Sequence, residues 1–370
     1  MTLVATRPAL NIAATLDNPN LWWNTLSNLQ KAIRRGDQDQ ARISAILLFN
    51  TDRIKLFRRM CVIALEDVGF GNIKLVQKVL DYAASHRKAS RATAHTDELG
   101  ECLALVAELT QSVKDRSPCQ LAVASKVCVE GVRRVARLSP ERCVAIYANE
   151  SEDMQLRCLA GRSLTGSLTI DKQRIGIADR KVFLNALSKM DVPDRIARIA
   201  EIGAGFGGEV AGLAVNIPIL HRPMKAESRK TRLYQLPQAE LIRGLLSPAY
   251  DKHTLEGKYA LAAFAANCDP LRQFSERFGV QAKKIIGLLV FMSEGSVVSR
   301  AIYCTLTDEL YAANEKAICT LIGLRYAALT EGKDILLDNL DSLNRHRRRI
   351  AEAASYFDAQ AVNARQGALF

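Results

Sequence analysis

Apolar residues spaced three or four positions apart recur along almost the whole chain, in segments long enough for helices. The first clear segment runs from Asn20 to Asp37, and its period ends at Gly36. The alternating apolar–polar pattern of half-buried strands is almost absent. The spacing therefore predicts an all-α protein, built as a multi-helix bundle or as stacked helical pairs.

The helical pattern loosens once, between Asn149 and Gln173, where glycine, serine and threonine are frequent. A chain of 370 residues is long enough for two helical subdomains. We therefore predict an N-terminal arm, a first helical domain, a linker or junction and a second helical region. Their bounds are 1–20, 21–148, 149–175 and 176–370.

The cysteine pattern and the hydropathy of the chain bear on its compartment and its cofactors. Nine cysteines are scattered without a C-x-x-C pair, and most lie in apolar helical segments, which favours buried thiols in a reducing compartment. The N-terminus lacks the pattern of a signal peptide, and no apolar run approaches the ~20 residues of a membrane span. We expect a cytoplasmic protein with no membrane partner, no metal and no cofactor.

Basic residues outnumber acidic ones by 51 to 39, a formal net charge of +12. Such an excess is common in proteins that bind DNA or RNA, because neutralising phosphates releases counterions. The densest cluster is HRPMKAESRKTR at 221–232. One cluster alone is more typical of a solvated surface, so the prediction depends on their number. The residues predicted to contact DNA are Arg34, Arg35, Arg58, Arg59, Arg133, Arg134, Arg222, Arg229, Lys230 and Arg232, with Thr254 in addition.

Nucleotide-binding motifs are lacking or lie in the wrong context. No G-x-x-x-x-G-K-[ST] occurs, so we do not expect an ATPase. The segment GAGFGG at 203–208 matches G-x-G-x-x-G, but it follows a helical pattern and not a strand. We interpret it as a glycine hinge or a close contact between helices.

The segment MCVIALEDVGFGN at 60–72 places two adjacent acids, Glu66 and Asp67, at the end of an apolar run. One interpretation is a catalytic pair. The other is structural, with Asp67 capping the next helix and Glu66 paired with an arginine such as Arg34 or Arg35. The sequence favours the structural interpretation without settling it.

A second polar group lies in DKHTLEGK at 251–258. Thr254 is a candidate N-cap there, and Gly257 suits the close approach of another backbone or of a ligand. Asp251, His253 and Lys258 are candidates for catalysis, because an acid, a histidine and a lysine are close in sequence. Structural roles for them are about equally compatible with the sequence.

Residues 31–130 resemble the helical C-terminal, clamp-loader collar-like region of the replication-associated recombination AAA+ ATPases. The resemblance is carried by Lys31, Arg34, Gly36, Asp37, Asp39, Ala41, Arg58, Arg59, Ile63, Ala64, Glu66, Asp67, Val68 and Gly69. The ATPase portion of that family is missing, and residues 150–370 do not match its tetramerising tail. The resemblance implies a helical module in DNA metabolism and does not imply ATP hydrolysis.

Two hypotheses follow for the function. The first is a DNA glycosylase that hydrolyses the N-glycosidic bond of a flipped, modified or damaged base without metal or nucleotide, in repair or in defence against foreign DNA. Its partner is duplex DNA with a flipped base, or single-stranded DNA. The alternative is a non-catalytic DNA-binding or assembly module of replication or recombination. The sequence favours the enzyme, because two polar groups on an apolar helical background exceed what a scaffold requires. Its catalytic candidates are Glu66, Asp67, Asp251, His253 and Lys258.

Overall fold

A computed structural model describes residues 19–87, 97–170 and 173–353, and it confirms the all-α prediction. Short π turns follow two of the helices, at Ala64–Val68 after α2 and at Phe291–Gly295 after α15. In chain order the helices are α1 (Pro19–Arg35), α2 (Gln38–Ile63), α3 (Ile73–Ser85), α4 (Glu98–Gln111), α5 (Ser117–Val127), α6 (Val129–Ala136), α7 (Pro140–Ala148), α8 (Met154–Leu164), α9 (Arg180–Ser188), α10 (Asp194–Phe206), α11 (Gly208–Ala214), α12 (Asn216–Ala226), α13 (Leu255–Asn267), α14 (Asp269–Phe278), α15 (Ala282–Val290), α16 (Thr305–Ile322), α17 (Leu329–Asp338) and α18 (Leu340–Ala353).

The strands are two to four residues long and form antiparallel pairs. The pairs are β1 (Leu168–Ile170) with β2 (Gln173–Ile175), β3 (Lys230–Leu233) with β6 (Arg300–Tyr303), and β4 (Leu241–Ile242) with β5 (Leu245–Leu246). Among the described helices, none combines the length and apolar character needed to cross a membrane. The predicted arm at 1–20 lies outside the described residues, except that α1 already begins at Pro19.

The chain forms two compact units, and each unit is assembled from separate stretches of sequence. The first unit contains the described residues up to Arg53, then Gln235–Ser299, then the described residues from Ile322 onward. The second unit contains the described residues of Ile54–Tyr234, together with Arg300–Leu321. This division differs from the sequential one expected from the loosened pattern, because β6 joins the second unit by pairing with β3.

The boundary after Arg53 lies beside a break in α2. Asp52 has φ −156° and ψ 84°, which are not helical values. The sequence predicts two helices here, separated by the polar residues that precede Arg53, and the non-helical residue confirms the interruption. The chain therefore passes from one unit to the other beside a residue whose backbone angles depart from those of a helix.

The predicted linker at 149–175 contains a buried helix, α8. Asp153 caps α8 by accepting hydrogen bonds from two backbone N–H groups at 2.9 and 3.0 Å. Two arginines on α8, Arg157 and Arg162, are buried and donate to backbone carbonyls. The glycines and serines that indicated a junction are thus partly within a buried helix, whose inward-facing arginines also interrupt the apolar period.

The sequence offers two candidate caps for α3, Asp67 and Asn72, and one for α13, Thr254. Asn72 and Thr254 form the caps, and Asp67 does not. The Asn72 side chain caps α3 by accepting from Leu75 N at 3.1 Å, and Thr254 caps α13 by accepting from Gly257 N at 3.2 Å. A Cβ atom on Gly257 would lie 2.0 Å from the carbonyl oxygen of Asp251, so a neighbouring backbone excludes any side chain there.

The glycine-rich segment 203–208 ends one helix and begins the next. A Cβ on Gly203 would lie 2.2 Å from the Ala214 Cβ, and Gly207 and Gly208 have φ of 67° and 55°. The predicted close helix contact is therefore present. The two positive-φ glycines form the turn between α10 and α11.

A buried ion pair organises the first unit. Arg347 Nη2 donates to Glu294 Oε2 at 2.9 Å, and neither side chain is exposed to solvent. Arg347 Nε also donates to the Tyr250 carbonyl at 3.2 Å. The Tyr250 hydroxyl donates to the Ile242 carbonyl at 3.0 Å, within a buried cluster that includes Leu21. The polar network thus fixes α18 against the segment before α13.

Candidate nucleic-acid interface

An exposed two-stranded ribbon in the second unit carries the C-terminal part of the densest basic cluster. In this ribbon Lys230 lies opposite Tyr303, and Arg232 lies opposite Ala301. Side chains alternate between the two faces of a strand, so Lys230, Arg232 and Tyr303 share one face. All four residues of β3 are exposed. The face therefore carries two exposed cations and a half-buried aromatic ring.

The ribbon is anchored along β6. The backbone of Lys114 donates to Arg300 O at 2.9 Å and accepts from Ile302 N at 2.8 Å. The Lys114 ammonium is buried and donates to three carbonyls at the end of α4, those of Leu109, Thr110 and Ser112, at 2.7 to 3.0 Å. Burial lowers the pKa of Lys114 to about 8, while attraction from a nearby acid opposes the shift. Lys114 is a structural residue that fixes the ribbon on the helices.

Tyrosines surround the Arg232 guanidinium. Its carbon lies 3.6 Å from the centroid of the Tyr303 ring, a cation–π contact. Desolvation acts to lower the pKa of Arg232, but hydrogen bonds and attraction from Tyr303 and Tyr234 raise it. Tyr234 and Tyr311 are 41% and 39% exposed. Burial of its hydroxyl and the nearby Glu315 raise the pKa of Tyr311 to about 12, so this phenol stays neutral. Basic and aromatic groups are thus interleaved on one surface.

Glu66 and Asp67 occupy the buried π turn that ends α2. Arg116, just before α5, lies with Nη2 3.0 Å from Glu66 Oε1 and with Nε 3.1 Å from Asp67 Oδ1. The Cys119 thiol lies 3.5 Å from Glu66 Oε1. Desolvation alone would lower the pKa of Arg116, but Cys119 and the two carboxylates outweigh it and raise the pKa. These contacts favour the structural interpretation of the two acids, with an arginine the sequence did not single out.

The turn after these acids is closely packed. A Cβ on Gly69 would lie 2.6 Å from Asp115 Oδ2, and a Cβ on Gly71 would lie 2.0 Å from the Val113 carbonyl. The buried Asp115 carboxylate accepts from Phe70 N at 2.9 Å and from the Ser117 hydroxyl at 2.6 Å. Burial raises the pKa of Asp115, and these hydrogen bonds oppose the shift. Both glycines are required because backbone and carboxylate atoms fill the space of a side chain.

Asp251 is fully buried in the first unit, where it forms an ion pair with Lys31. Its Oδ1 accepts from His253 N at 2.8 Å. Burial acts to raise the pKa of Asp251, but Lys31 and His253 outweigh it and lower the pKa. Thr254 is buried as the cap of α13, while the His253 side chain is exposed. Asp251 is thus a buried, ionised carboxylate that fixes the start of a helix.

The catalytic candidates are therefore divided between the two units. Glu66 and Asp67 belong to the second unit, and Asp251, His253 and Lys258 belong to the first. Each of the three carboxylates has a basic partner within its own unit.

Several arginines predicted to contact DNA make contacts with carbonyl groups or acids of the protein itself. Arg34 and Arg35 donate to the carbonyls of Gly295 and Pro237. Arg58 donates to the carbonyls of Phe206 and Gly207 at 2.8 and 2.9 Å, at the C-terminus of α10. Such contacts satisfy carbonyls that a helix end leaves unpaired. Arg59 lies 3.9 Å from the Glu209 carboxylate.

Thr254 is buried, because its side chain caps α13, so it is not placed to contact DNA. The other six predicted contacts are exposed. Arg133 and Arg134 lie on the outer face of α6, and Arg222 on α12 pairs with Glu150. The other three lie at the ribbon of the second unit, and they are Arg229, Lys230 and Arg232.

Sequence reasoning missed the residues that lie beside β3 in the ribbon and around it. Tyr303 and Arg300 come from β6, about seventy residues after β3, so local sequence patterns could not place them beside it. Arg195 and Lys225 also lie in the second unit and line a pocket together with Arg229. The exposed Tyr234 lies two residues after the end of the basic segment, and an aromatic residue near a basic run was the available signal.

Comparison with protein-family models, with curated proteins and with solved structures found no match. Among the described residues, no group of three or more histidine, cysteine and acidic side chains is arranged to hold a metal ion.

Proposed function

We propose that this protein binds DNA, with the β3–β6 ribbon as the main contact surface, and that it acts as a binding or assembly module. The observation that supports this most directly is Arg232, which lies 3.6 Å from the Tyr303 ring beside Lys230 on a fully exposed strand. Cationic groups follow a phosphate backbone, and aromatic rings stack on bases.

Single-stranded DNA is the form that suits this surface best. Tyr234 and Tyr311 expose about two fifths of their surface, and rings of this kind stack on bases that are not already stacked in a duplex. Base stacking on an aromatic side chain is typically worth about 1–3 kcal/mol per base. We therefore expect tighter binding to a single strand than to a duplex of the same length.

Base excision is less well supported by the same observations. A catalytic carboxylate has to reach a flipped nucleotide. Asp67 and Asp251 are fully buried, and Glu66 is paired with Arg116. The glycosylase hypothesis stays a prediction, and the resemblance of residues 31–130 to a helical collar agrees better with a binding module.

The test is a fluorescence-anisotropy titration with single-stranded and duplex oligonucleotides at several salt concentrations. One variant combines Arg229→Ala, Lys230→Ala and Arg232→Ala at the ribbon. Neutralising a phosphate on a single strand contributes about 0.7 to the slope of log affinity against log salt. We expect weaker binding and a slope reduced by up to about 2.

The matched control removes three exposed positive charges from the first unit, by Lys283→Ala, Lys284→Ala and Arg325→Ala. It carries the same change in net charge, so it should keep the affinity if the ribbon is the interface. Absence of wild-type binding at low salt would remove the proposal. If both variants lose the same amount of DNA affinity, the binding depends on net charge alone, and the ribbon is not the interface.

A further inference from the structure

A pocket in the second unit combines apolar walls with a basic rim. Its cavity volume is about 240 Å³. The apolar walls come from four places, which are the turn after α2, the start of α3, the start of α10 and the inner face of α12. These wall residues are Phe70, Ile73, Pro193, Ile196 and Met224. The titratable side chains among the lining residues are all basic, and they are Arg195, His221, Lys225 and Arg229.

Two helices begin at this pocket. Ile73 is the first residue of α3, and Arg195 lies in the first turn of α10, whose N-cap Pro193 provides no side-chain hydrogen bond. Both helices have 13 residues. The first N–H groups of a helix and the positive end of its dipole favour an anion, and α10 also has Asp194 in its first turn, which partly offsets this. The helix starts add to the positive potential of the rim.

The basic side chains differ in their surroundings. Arg195 Nε donates to Gln77 Oε1 at 3.1 Å, a bond that fixes the side chain through Nε and not through its terminal nitrogens. Burial and the neighbouring Lys225 lower the pKa of His221, against attraction from Asp191. His221 is therefore a neutral hydrogen-bonding group at pH 7, and the permanent charge comes from the arginines and the lysine.

Buried Asp115 attracts Arg229, but that carboxylate already accepts hydrogen bonds from Phe70 N and from Ser117. The rim thus keeps a net positive charge next to an apolar wall. A terminal phosphate carries close to two negative charges at pH 7, more than one internal phosphodiester, and it suits a site with this much positive charge. Pockets for drug-sized ligands typically have volumes of about 300–1,000 Å³, and this cavity is smaller. Its size limits the occupant to about one nucleotide unit.

We infer that this pocket binds one nucleotide with a terminal phosphate, the base against the apolar wall at Phe70 and the phosphate at Arg195, Lys225 and Arg229. The nucleotide comes either from a free mononucleotide or from the 5′ end of a DNA strand. In the second case the inference rests on the proposed DNA binding, because Arg229 directly precedes the ribbon strand β3. The pocket then binds the 5′ end of the DNA strand that the ribbon contacts.

The test measures binding of deoxyadenosine monophosphate, deoxyadenosine and inorganic phosphate by isothermal titration calorimetry. The nucleotide should bind more tightly than either half alone, because wall and rim each contribute. Inorganic phosphate binding as tightly as the nucleotide would overturn the assignment, because the apolar wall would then contribute nothing.

Variants of two lining residues test the rim, and one of them has a matched control on the same helix. Arg195→Ala should reduce nucleotide affinity about tenfold or more, since it removes charged hydrogen-bond donors. Arg198→Ala, one turn further along α10, should leave the affinity unchanged, because Arg198 pairs with Asp81 and does not line the pocket. Lys225→Ala on α12 should also weaken binding, because Lys225 lines the pocket.

Oligonucleotides with a 5′-phosphate or a 5′-hydroxyl distinguish the two sources. If the protein prefers the 5′-phosphate strand and Arg195→Ala abolishes that preference, the ligand of the pocket is the end of a DNA strand. If mononucleotide binds and the protein shows no such preference, the ligand is the free nucleotide. If the two strands bind equally well and no mononucleotide binds, the proposal for the pocket is wrong, and the proposal for the ribbon is unaffected. Mononucleotide binding without any strand binding removes the ribbon proposal and supports the pocket.

Discussion

The guanidinium of Arg116 lies 3.0 Å from the carboxylate of Glu66, and its Nε lies 3.1 Å from Asp67, so one cation pairs with both acids of the π turn. The three side chains are 9%, 12% and 0% exposed. Removing one partner from a buried group of this kind leaves a charge without compensation in a region poor in water.

We expect Arg116→Met to lower the free energy of unfolding by about 3–5 kcal/mol, measured by urea denaturation. The control is Glu108→Ala, which breaks the exposed pair with Lys78 and should change stability by less than about 1 kcal/mol. If the Arg116→Met protein folds with unchanged stability but acts differently on DNA, the structural role is wrong, and Glu66 and Asp67 are candidates for catalysis.

The ion pair between Asp251 and Lys31 predicts a pH dependence of stability. The pKa of Asp251 is lowered in the folded protein, so its contribution is fully present above the unfolded pKa of about 3.9 and is lost as the pH falls through the folded value. Asp251→Asn should therefore destabilise the protein at pH 7, and the difference from wild type should shrink as the pH falls below about 4.

The exposed pair of Asp269 and Arg272 supplies the control for this measurement. Asp269→Asn should change the free energy of unfolding by less than about 1 kcal/mol at any of these pH values. A difference between wild type and Asp251→Asn that does not vary between pH 3 and pH 7 would contradict the assignment of an ionised carboxylate.

Backbone packing at α13 predicts a large effect from one methyl group. Gly257→Ala would place a Cβ 2.0 Å from the Asp251 carbonyl, which requires the backbone to move. We expect a loss of several °C or more in melting temperature. Gly205→Ala on α10 is the control, because no atom lies within 4 Å of its added Cβ, and it should be neutral or stabilise the helix by about 0.5–1 kcal/mol.

Predictions from local sequence were confirmed where the physical cause is itself local. Helical spacing, the caps at Asn72 and Thr254, and the close backbone at Gly257 each depend on neighbours within a few positions. Arg116 escaped prediction because it lies about fifty residues from the acids it pairs with. Sequence gives the sign of such a charge but not its partner.

Charge clusters were a weaker guide than helix caps, for a physical reason. Arg58 lies within α2 and donates to carbonyls at the C-terminus of α10, whereas Arg232 lies on an exposed strand and remains at the surface. Both occur in similarly basic stretches. The strand itself is only four residues long and gains its order from β6, so its exposed surface could not be read from the pattern of one segment.

The remaining question of catalysis has a direct measurement. If the protein is a binding module, incubation with modified and unmodified DNA followed by hot alkali should reveal no strand breaks at released bases. An oligonucleotide containing an abasic site serves as the positive control for the alkali step.

Borohydride should trap no adduct, because trapping requires an amine such as that of Lys258 to have attacked the sugar. Alkali-labile sites that appear with wild type and vanish in a folded Asp67→Asn or Asp251→Asn variant would establish base excision. Trapping lost in Lys258→Ala would instead identify that lysine as the nucleophile.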